Sequence, residues 1–397
     1  MTGGLKAADG VFSMLLTNCA SCATELGLTS GKKCGRCSTR YCGPECQKKH
    51  WEEGGHDKLC RKIKKAGGAE QYHANKKYAE ALAVAVEEYA EDTKGQTCYI
   101  CTEALHWKTK EGLVRGCACH TTEGFVHVSC LAEQAKILVA EAEENNLDDK
   151  AITARWRRWD TCGLCEQAYH GVVLCALGWA CWKTYVGRPE GDEARLHAMT
   201  LLAGGLYAVG HHEDALSVQE AELAVERRVG ASERSILVMK GNLALTYKAL
   251  GRLEPALQIN RDVFLGFQKL YGEENDQTLS SALNYATSLT EVRGSEEAKS
   301  LLRKTVPLAQ RALGDSNEIT LRMRWYYAWV LYENDGATLS EIREAVTTLE
   351  EIELTARRVL GGAHPFTVQI EPVLQLARMV LDDHQAPSEE LDEVENA

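Results

Sequence analysis

Features that would indicate a membrane protein, a secreted protein or a self-contained enzyme are missing from this chain of 397 residues. No apolar run approaches the roughly 18 to 20 residues of a membrane span, and no charged-then-apolar secretion signal stands at the N-terminus. No Walker loop, GxGxxG or Ser-His-Asp order occurs in a supporting context. We therefore expect a cytoplasmic or nuclear protein that has no catalytic residues of its own and no membrane partner.

Cysteine, by contrast, is abundant, with 16 residues. A reducing compartment would not keep so many thiols in disulfides, so metal binding is the better interpretation. The formal net charge is −12, yet residues 19 to 65 hold 11 Lys or Arg against 5 Asp or Glu. A solvated basic face is favoured there over nucleic-acid binding, which stays open.

The first cysteine-rich module spans residues 19 to 60 and offers eight soft or imidazole ligands, enough for two tetrahedral zinc ions. A segment this small lacks a large apolar core and needs the metal in order to fold. Its candidate ligands are Cys19, Cys22, Cys34, Cys37, Cys42, Cys46, His56 and Cys60.

This spacing, with YC at 41 and 42 and CQKKHW at 46 to 51, resembles the MYND finger. The resemblance implies interleaved pairs, with Cys19, Cys22, Cys42 and Cys46 on zinc 1 and Cys34, Cys37, His56 and Cys60 on zinc 2. It also implies binding of proline-containing peptides. Four residues separate Trp51 from His56 where the family usually has two, so His50 stays open as a competing ligand.

The second module, at residues 98 to 165, again offers eight ligands for two ions. PHD fingers share this ligand order, but the narrow Cys-x-Cys pair, CYIC, RGCACHTTEGFVHVSC and CGLC resemble RING-CH domains. The resemblance implies a cross-brace, in which His127 is preferred to His120 as a ligand. Zinc 3 would then bind Cys98, Cys101, His127 and Cys130, and zinc 4 would bind Cys117, Cys119, Cys162 and Cys165.

RING-CH proteins are commonly ubiquitin ligases that hold a charged ubiquitin-conjugating enzyme. Ile100 matches the apolar residue of the first zinc loop that contacts that enzyme. The Trp usually found after the sixth ligand is missing from CLAEQAK, and Trp156 and Trp159 are the candidates to fill its place. A purely structural zinc domain that presents a protein-binding surface is the competing interpretation, and both stay open.

The second half of the chain repeats at a period of roughly 42 residues, which predicts paired helices that cover one another's apolar stripes. Glycines close successive units at Gly230, Gly272, Gly314 and Gly361, and mark the turn inside each at Gly210, Gly251, Gly294 and Gly336. Residues 193 to 382, with LGGAHPFTV at 360 to 368, resemble tetratricopeptide repeats of the kinesin-light-chain type. Asn242 and Asn284 are candidates either to clamp a peptide backbone or to contact a neighbouring helix.

The remaining segments complete the predicted organisation. They are a loose leader at 1–18, a linker helix at 69–91, a docking helix at 171–186 and an acidic disordered tail at 383–397. Cys175 and Cys181 fall in the docking helix and are predicted to be buried side chains rather than ligands.

The sequence thus predicts a mainly α fold, with two small cross-brace zinc modules followed by an α-helical tetratricopeptide-repeat solenoid, and four Zn²⁺ in the two modules. The predicted function is a protein-protein interaction scaffold that binds proteins or peptides. The alternative is a soluble ubiquitin ligase.

Overall fold

The computed structural model describes residues 19–22, 24, 26, 31–117, 124–334, 336–362 and 364–385. The predicted leader, Cys119, His120 and positions 386–397 of the predicted tail lie outside this part. The chain divides into two compact units, 1–231 and 232–397, and each is described by itself. Within the described residues, no helix has both the length and the hydropathy needed to cross a membrane.

The first unit begins with a two-stranded antiparallel hairpin, in which β1 (Lys32–Lys33) pairs with β2 (Arg40–Tyr41). Helices α1 (Pro44–Glu52) and α2 (His56–Lys65) follow the hairpin. The core beneath them is small and consists largely of cysteine, together with Leu26, Tyr41 and Ile63. So little apolar burial cannot hold this segment together alone, which is consistent with a metal-dependent fold.

Most of the rest of the first unit, as far as the structure describes it, is helical, with an irregular segment from 89 to 127, and it packs around a large core. Its helices are α3 (Ala69–Glu88), α4 (Val128–Glu144), α5 (Asp149–Trp156), a short 3-10 helix (Arg157–Trp159), α6 (Gly171–Tyr185), α7 (Glu193–Ala208) and α8 (His212–Val229). Helix α3, expected only to link the zinc modules, also buries Ala74, Tyr78 and Ala85 in this core. The second cysteine-rich module therefore shares its core with the helices on either side of it.

Helix α6 is buried nearly all round, and α7 packs against it at very close range. Two glycines make this approach possible. A Cβ at Gly205 would lie 2.8 Å from Cys175 Cα and 2.9 Å from the carbonyl oxygen of Leu174. A Cβ at Gly178 would lie 3.0 Å from the backbone of residues 201 and 202. Because the obstacles are backbone atoms, no side-chain rotation can relieve them.

Gly205→Ala is expected to destabilise the first unit by about 2 kcal/mol, because the two helices must move apart. Gly204→Ala is the matched control, since Gly204 is exposed and a Cβ there meets no atom within 4 Å. The control should stabilise by about 0.5 to 1 kcal/mol, because alanine favours the helix. Urea unfolding of both variants measures the difference, and equal midpoints would contradict the close contact.

The second unit contains seven described helices. They are α9 (Glu233–Ala249), α10 (Leu253–Tyr271), α11 (Asp276–Arg293), α12 (Ser295–Leu313), α13 (Glu318–Glu333), α14 (Leu339–Val359) and α15 (Pro365–Gln385). Consecutive helices pack on one another, and Leu279, Leu302 and Leu349 are buried between them. Helix α15 includes the first three residues of the predicted acidic tail.

The interhelical turns lie where the glycine pattern predicted them. Seven of the eight predicted glycines have φ between 70° and 88°, the left-handed region that favours glycine, and Gly336 is the exception. The paired helices are 16 to 21 residues long. The boundary between the compact units separates the first predicted pair, α7 and α8, from the others, because α7 is packed against α6.

The predicted fold class is confirmed: the described chain is mainly α, with a small cysteine-rich module before an array of paired helices.

Candidate metal centres

The first candidate centre brings together Cys19, Cys22, Cys42 and Cys46, whose sulfur atoms all lie within 4.8 Å of one another. The distance between sulfur atoms is 3.6 Å from Cys22 to Cys42 and 3.4 Å from Cys42 to Cys46. Ligands about 2.3 Å from a tetrahedral zinc stand roughly 3.8 Å apart, so this geometry fits the ion.

The second centre interleaves with the first along the chain and is fully buried. It gathers Cys34, Cys37, His56 and Cys60. Helix α2 contributes His56 and Cys60, one turn apart on one face. The sulfur atoms of Cys34 and Cys60 are 3.9 Å apart, and His56 Nε2 lies 3.4 Å from the sulfur of Cys37.

His50, the competing ligand considered from the sequence, lies outside this cluster in the described structure. Its Nδ1 lies 3.0 Å from the hydroxyl of the buried Tyr41, and its ring centroid is 5.1 Å from that of His56. The four-residue spacer between Trp51 and His56 includes Gly54 and Gly55 and ends at the start of α2.

The third centre gathers Cys98, Cys101, His127 and Cys130. His127 Nδ1 lies 3.4 Å from the sulfur of Cys101 and 3.7 Å from that of Cys130. The other ring nitrogen, Nε2, lies 3.4 Å from the carbonyl oxygen of Ala104. A carbonyl there fixes the tautomer that leaves Nδ1 free to bind metal.

The fourth centre brings Cys117, Cys162 and Cys165 within 4.8 Å of one another. Its predicted fourth ligand, Cys119, falls outside the described residues, as does His120, the alternative to His127 in the third centre. The long insertion between Cys130 and Cys162 completes α4 and then forms α5 and the short 3-10 helix. After this insertion, the chain brings Cys162 and Cys165 back beside Cys117.

Three of the Cys-x2-Cys pairs adopt one backbone turn. The N–H groups of Ser38, Thr102 and Glu166 donate to the carbonyls of Cys34, Cys98 and Cys162, at 2.8 to 3.0 Å. Each of these three donors has φ near 60°, a strained conformation for a residue with a side chain. A turn held this tightly aims both thiolates at one point.

Electrostatics also suit metal binding. Burial lowers the pKa of His56 and of His127, so both imidazoles are neutral near pH 7, as ligation requires. Burial opposes ionisation of the Cys162 thiol, but N–H groups of Cys165 and Leu164 donate to its sulfur and bring its pKa to about 7. All the described cysteines are free thiols. Cys175 and Cys181 are buried in α6, as predicted, and belong to none of these clusters.

A buried carboxylate beside the third centre was missed in the sequence. Glu111 accepts hydrogen bonds from the Ser129 N–H at 2.7 Å, the Ser129 hydroxyl at 2.6 Å and the Thr109 hydroxyl at 2.9 Å. It thus caps the N-terminus of α4, the helix that carries Cys130. The segment 106–111 repeats the turn of the Cys pairs, with His106 and Thr109 at the cysteine positions and Lys110 at φ 60°. The spacing of His106 and Thr109, which equals that of a Cys-x2-Cys pair, was the signal in the sequence that could have revealed this turn.

Glu111→Gln is expected to cost about 2 kcal/mol of stability and to speed zinc loss from the third centre, because charged hydrogen bonds to the helix start are weakened. Glu103→Gln, at an exposed carboxylate in the same module, is the control. Denaturant unfolding and zinc transfer to a chromophoric chelator measure the two effects. Identical transfer rates for the two variants would contradict the positioning role of Glu111.

The predicted partner-binding residues have different surroundings. Ile100 is partly buried against the large core, Asn242 is exposed on α9, and Asn284 is partly buried on α11. Their roles stay predictions. Trp159 is 1% exposed in the core and therefore cannot fill the surface of the missing RING-CH tryptophan. Trp156 is half-buried and stacks on His197, and its role stays a prediction.

Comparison with known proteins gives partial matches. The family model described as MYND finger matches residues 19–60, and the one described as Tetratricopeptide repeat matches residues 237–276. Neither match covers the second zinc module. No curated protein matches the chain significantly.

Two solved structures illustrate the similarity of the helical region. A putative kinesin light chain with nearly identical TPR-like repeats from Podosopora anserina is 20% identical, covers 58% of this chain and 97% of its own, and has a TM-score of 0.39. BtubC (BKLC) from P. vanneervenii is 12% identical, covers 68% and 97% respectively, and has a TM-score of 0.37. At such low scores the fold assignment depends on the helix pairs and on the family models. Those models and the cysteine clusters together show a zinc-binding MYND finger and tetratricopeptide repeats in one chain.

Proposed function

We propose that this protein is a zinc-dependent scaffold that holds partner proteins on its MYND finger and on its repeats. The observation that carries the proposal is the combination of a MYND finger and tetratricopeptide repeats in one chain. The sequence of that chain contains no motif of a self-contained catalytic site. MYND fingers and tetratricopeptide repeats generally mediate protein-protein contacts. The finer proposal is four zinc ions, two in each cysteine-rich module, in a cytosolic or nuclear compartment that keeps the thiols reduced.

The ligand sets proposed for these ions are those of the four clusters, with Cys119 completing the fourth. When bound, zinc would supply only folding energy, because each proposed ligand set provides four protein ligands and would leave no open position for a substrate. The chain's own residues do the rest: the strained turns aim the thiolates, and the carbonyl of Ala104 orients His127. The zinc modules would then present rigid surfaces rather than catalyse a reaction.

Crosslinking mass spectrometry in cells tests the scaffold proposal. We expect one set of partners to crosslink to residues 19–60 and a different set to residues 232–385. His56→Ala should remove the first set and leave the second. If both sets vanish together in a chain whose repeats still melt normally, the modules do not bind independently and the proposal is wrong.

A ubiquitin ligase remains a second proposal, supported by one surface feature of the second zinc module. Leu164 lies between the paired cysteines of the fourth centre and is 48% exposed, and Ile100 occupies the matching position in the third. The RING-CH resemblance implies that Ile100 contacts a ubiquitin-conjugating enzyme, and the exposed Leu164 would enlarge that apolar surface. Autoubiquitination with a broad panel of conjugating enzymes tests this, and product that persists in Ile100→Ala and Cys98→Ser would exclude the mechanism.

A further inference from the structure

One helix pair of the second unit differs from its neighbours at a position where they form an ion pair. Lys240, Ala282 and Arg324 occupy equivalent places, one repeat period apart, on α9, α11 and α13. On the second helix of each pair, the equivalent residues are Asp262, Lys304 and Glu351, which follow one another at the same spacings as the closing glycines.

In the two flanking pairs these positions join the helices by opposite charges. Lys240 Nζ lies 3.9 Å from Asp262 Oδ2, and Arg324 forms an ion pair with Glu351. In the middle pair the cation is replaced by Ala282, and the carboxylate is replaced by Lys304. Lys304 forms no ion pair with any residue in the described part of the chain.

A cavity of about 510 Å³ lies at the position of the small Ala282 side chain. We call it the Ala282 cavity. Apolar side chains of α10, α11 and α12 line it, among them Phe264, Leu279 and Leu308. Lys304 and Glu273 are exposed at its rim, so it is open to solvent. Its size and its mainly apolar lining suit one or two large side chains of a bound peptide.

The lining also contains a buried hydroxyl that the fold does not use. Thr278 is 1% exposed, and its hydroxyl has no hydrogen-bond partner among the described residues. The equivalent Thr320, one period later, donates to the carbonyl of Ala309 at 3.3 Å. A buried hydroxyl without a partner is costly, so a bound group that pairs with Thr278 would gain that free energy.

We propose that the Ala282 cavity binds a segment of a partner protein in which an acidic side chain stands beside a bulky apolar one. The apolar side chain would cover Leu279 and Ala282, and the carboxylate would form an ion pair with Lys304. In the flanking helix pairs, the equivalent ion pair forms between two residues of the chain itself. Glu273 at the rim already accepts a hydrogen bond from Gln268 at 3.0 Å and would accept a peptide N–H. This inference rests on the proposed function of the repeats as a protein-binding module.

Two matched sets of short fluorescent peptides test the proposal with the full zinc-loaded chain. One set places Glu beside Leu or Phe, and the other places Lys there. The wild type should bind the acidic set at least about tenfold more tightly, and Lys304→Glu should abolish or reverse that preference. Arg358→Glu makes the same charge change on an exposed part of α14 and should have no effect.

A double variant, Ala282→Arg with Lys304→Glu, gives the middle pair the residues of its neighbours. We expect it to melt no lower than the wild type, because the cavity is filled and an ion pair is added, and to lose peptide binding. If the double variant does not fold, the peptide preference of the single variant Lys304→Glu tests the proposal. Equal binding of both peptide sets, or no binding of either, overturns the proposal. Acidic-peptide binding that survives in the double variant also overturns it, while leaving the repeats as a protein-binding module.

Discussion

Substituting His56 with alanine is expected to release the zinc ion of the second centre and to destabilise the first zinc module. His56 is 0% exposed, its Nε2 faces the sulfur of Cys37, and the small core around it consists largely of the ligands themselves. Loss of a direct ligand should weaken zinc binding by more than the roughly 100-fold seen for outer-shell partners. Zinc content and amide hydrogen exchange over residues 31–66 measure the effect.

His50→Ala is the matched control, because His50 lies on α1 and contacts Tyr41 rather than the cluster. It should keep all its zinc and lose only packing and one hydrogen bond. The opposite outcome, in which His50→Ala loses zinc and His56→Ala retains it, would show that His50 rather than His56 is the zinc ligand.

The second large effect concerns pH and a buried carboxyl in α8. Burial raises the pKa of Glu222 from 4.5 to about 8, and the described hydrogen bond to its carboxyl comes from the Thr200 hydroxyl. The folded chain therefore keeps a proton that the unfolded chain releases above about pH 4.5. Stability should fall as the pH rises from about 5 to 8 and should level off above that range.

A change in pKa from 4.5 to about 8 sets an upper limit of roughly 5 kcal/mol for this loss. Glu222→Gln should remove most of that pH dependence and be the more stable protein at a pH above about 8. Glu220→Gln, at an exposed carboxylate on the same helix, is the control. Urea unfolding across this pH range compares the three proteins. Parallel curves for wild type and Glu222→Gln would show that Glu222 is ionised in the folded state.

Cysteine spacing and glycine periodicity were the two sequence features from which the cysteine clusters and the helix boundaries could be predicted. Ligand spacing is a local property, and a Cys-x2-Cys turn such as Cys98 to Cys101 brings its own sulfur atoms together. Closing glycines such as Gly272 are equally local, because the left-handed conformation excludes most other residues. The predicted zinc clusters and helix boundaries therefore depended little on the rest of the chain.

What escaped prediction depends on contacts between distant segments. Glu111 caps a helix that begins well after it in the sequence, and nothing in its own neighbourhood indicates which helix that is. Trp159 is followed closely by Cys162, a proposed zinc ligand, but lies in a core shared with α6 and α7. The close packing of α6 on α7 requires two glycines, Gly178 and Gly205, at the contact. Such pairings become visible only when the elements are packed.

The count of zinc ions tests the account most directly. Native mass spectrometry of the intact chain, purified without chelators, should show four zinc ions, with one ion lost in His56→Ala and one in Cys98→Ser. A wild-type chain that carries only two zinc ions, both lost when residues 19–60 are removed, would contradict the assignment of the second module as a zinc-binding domain.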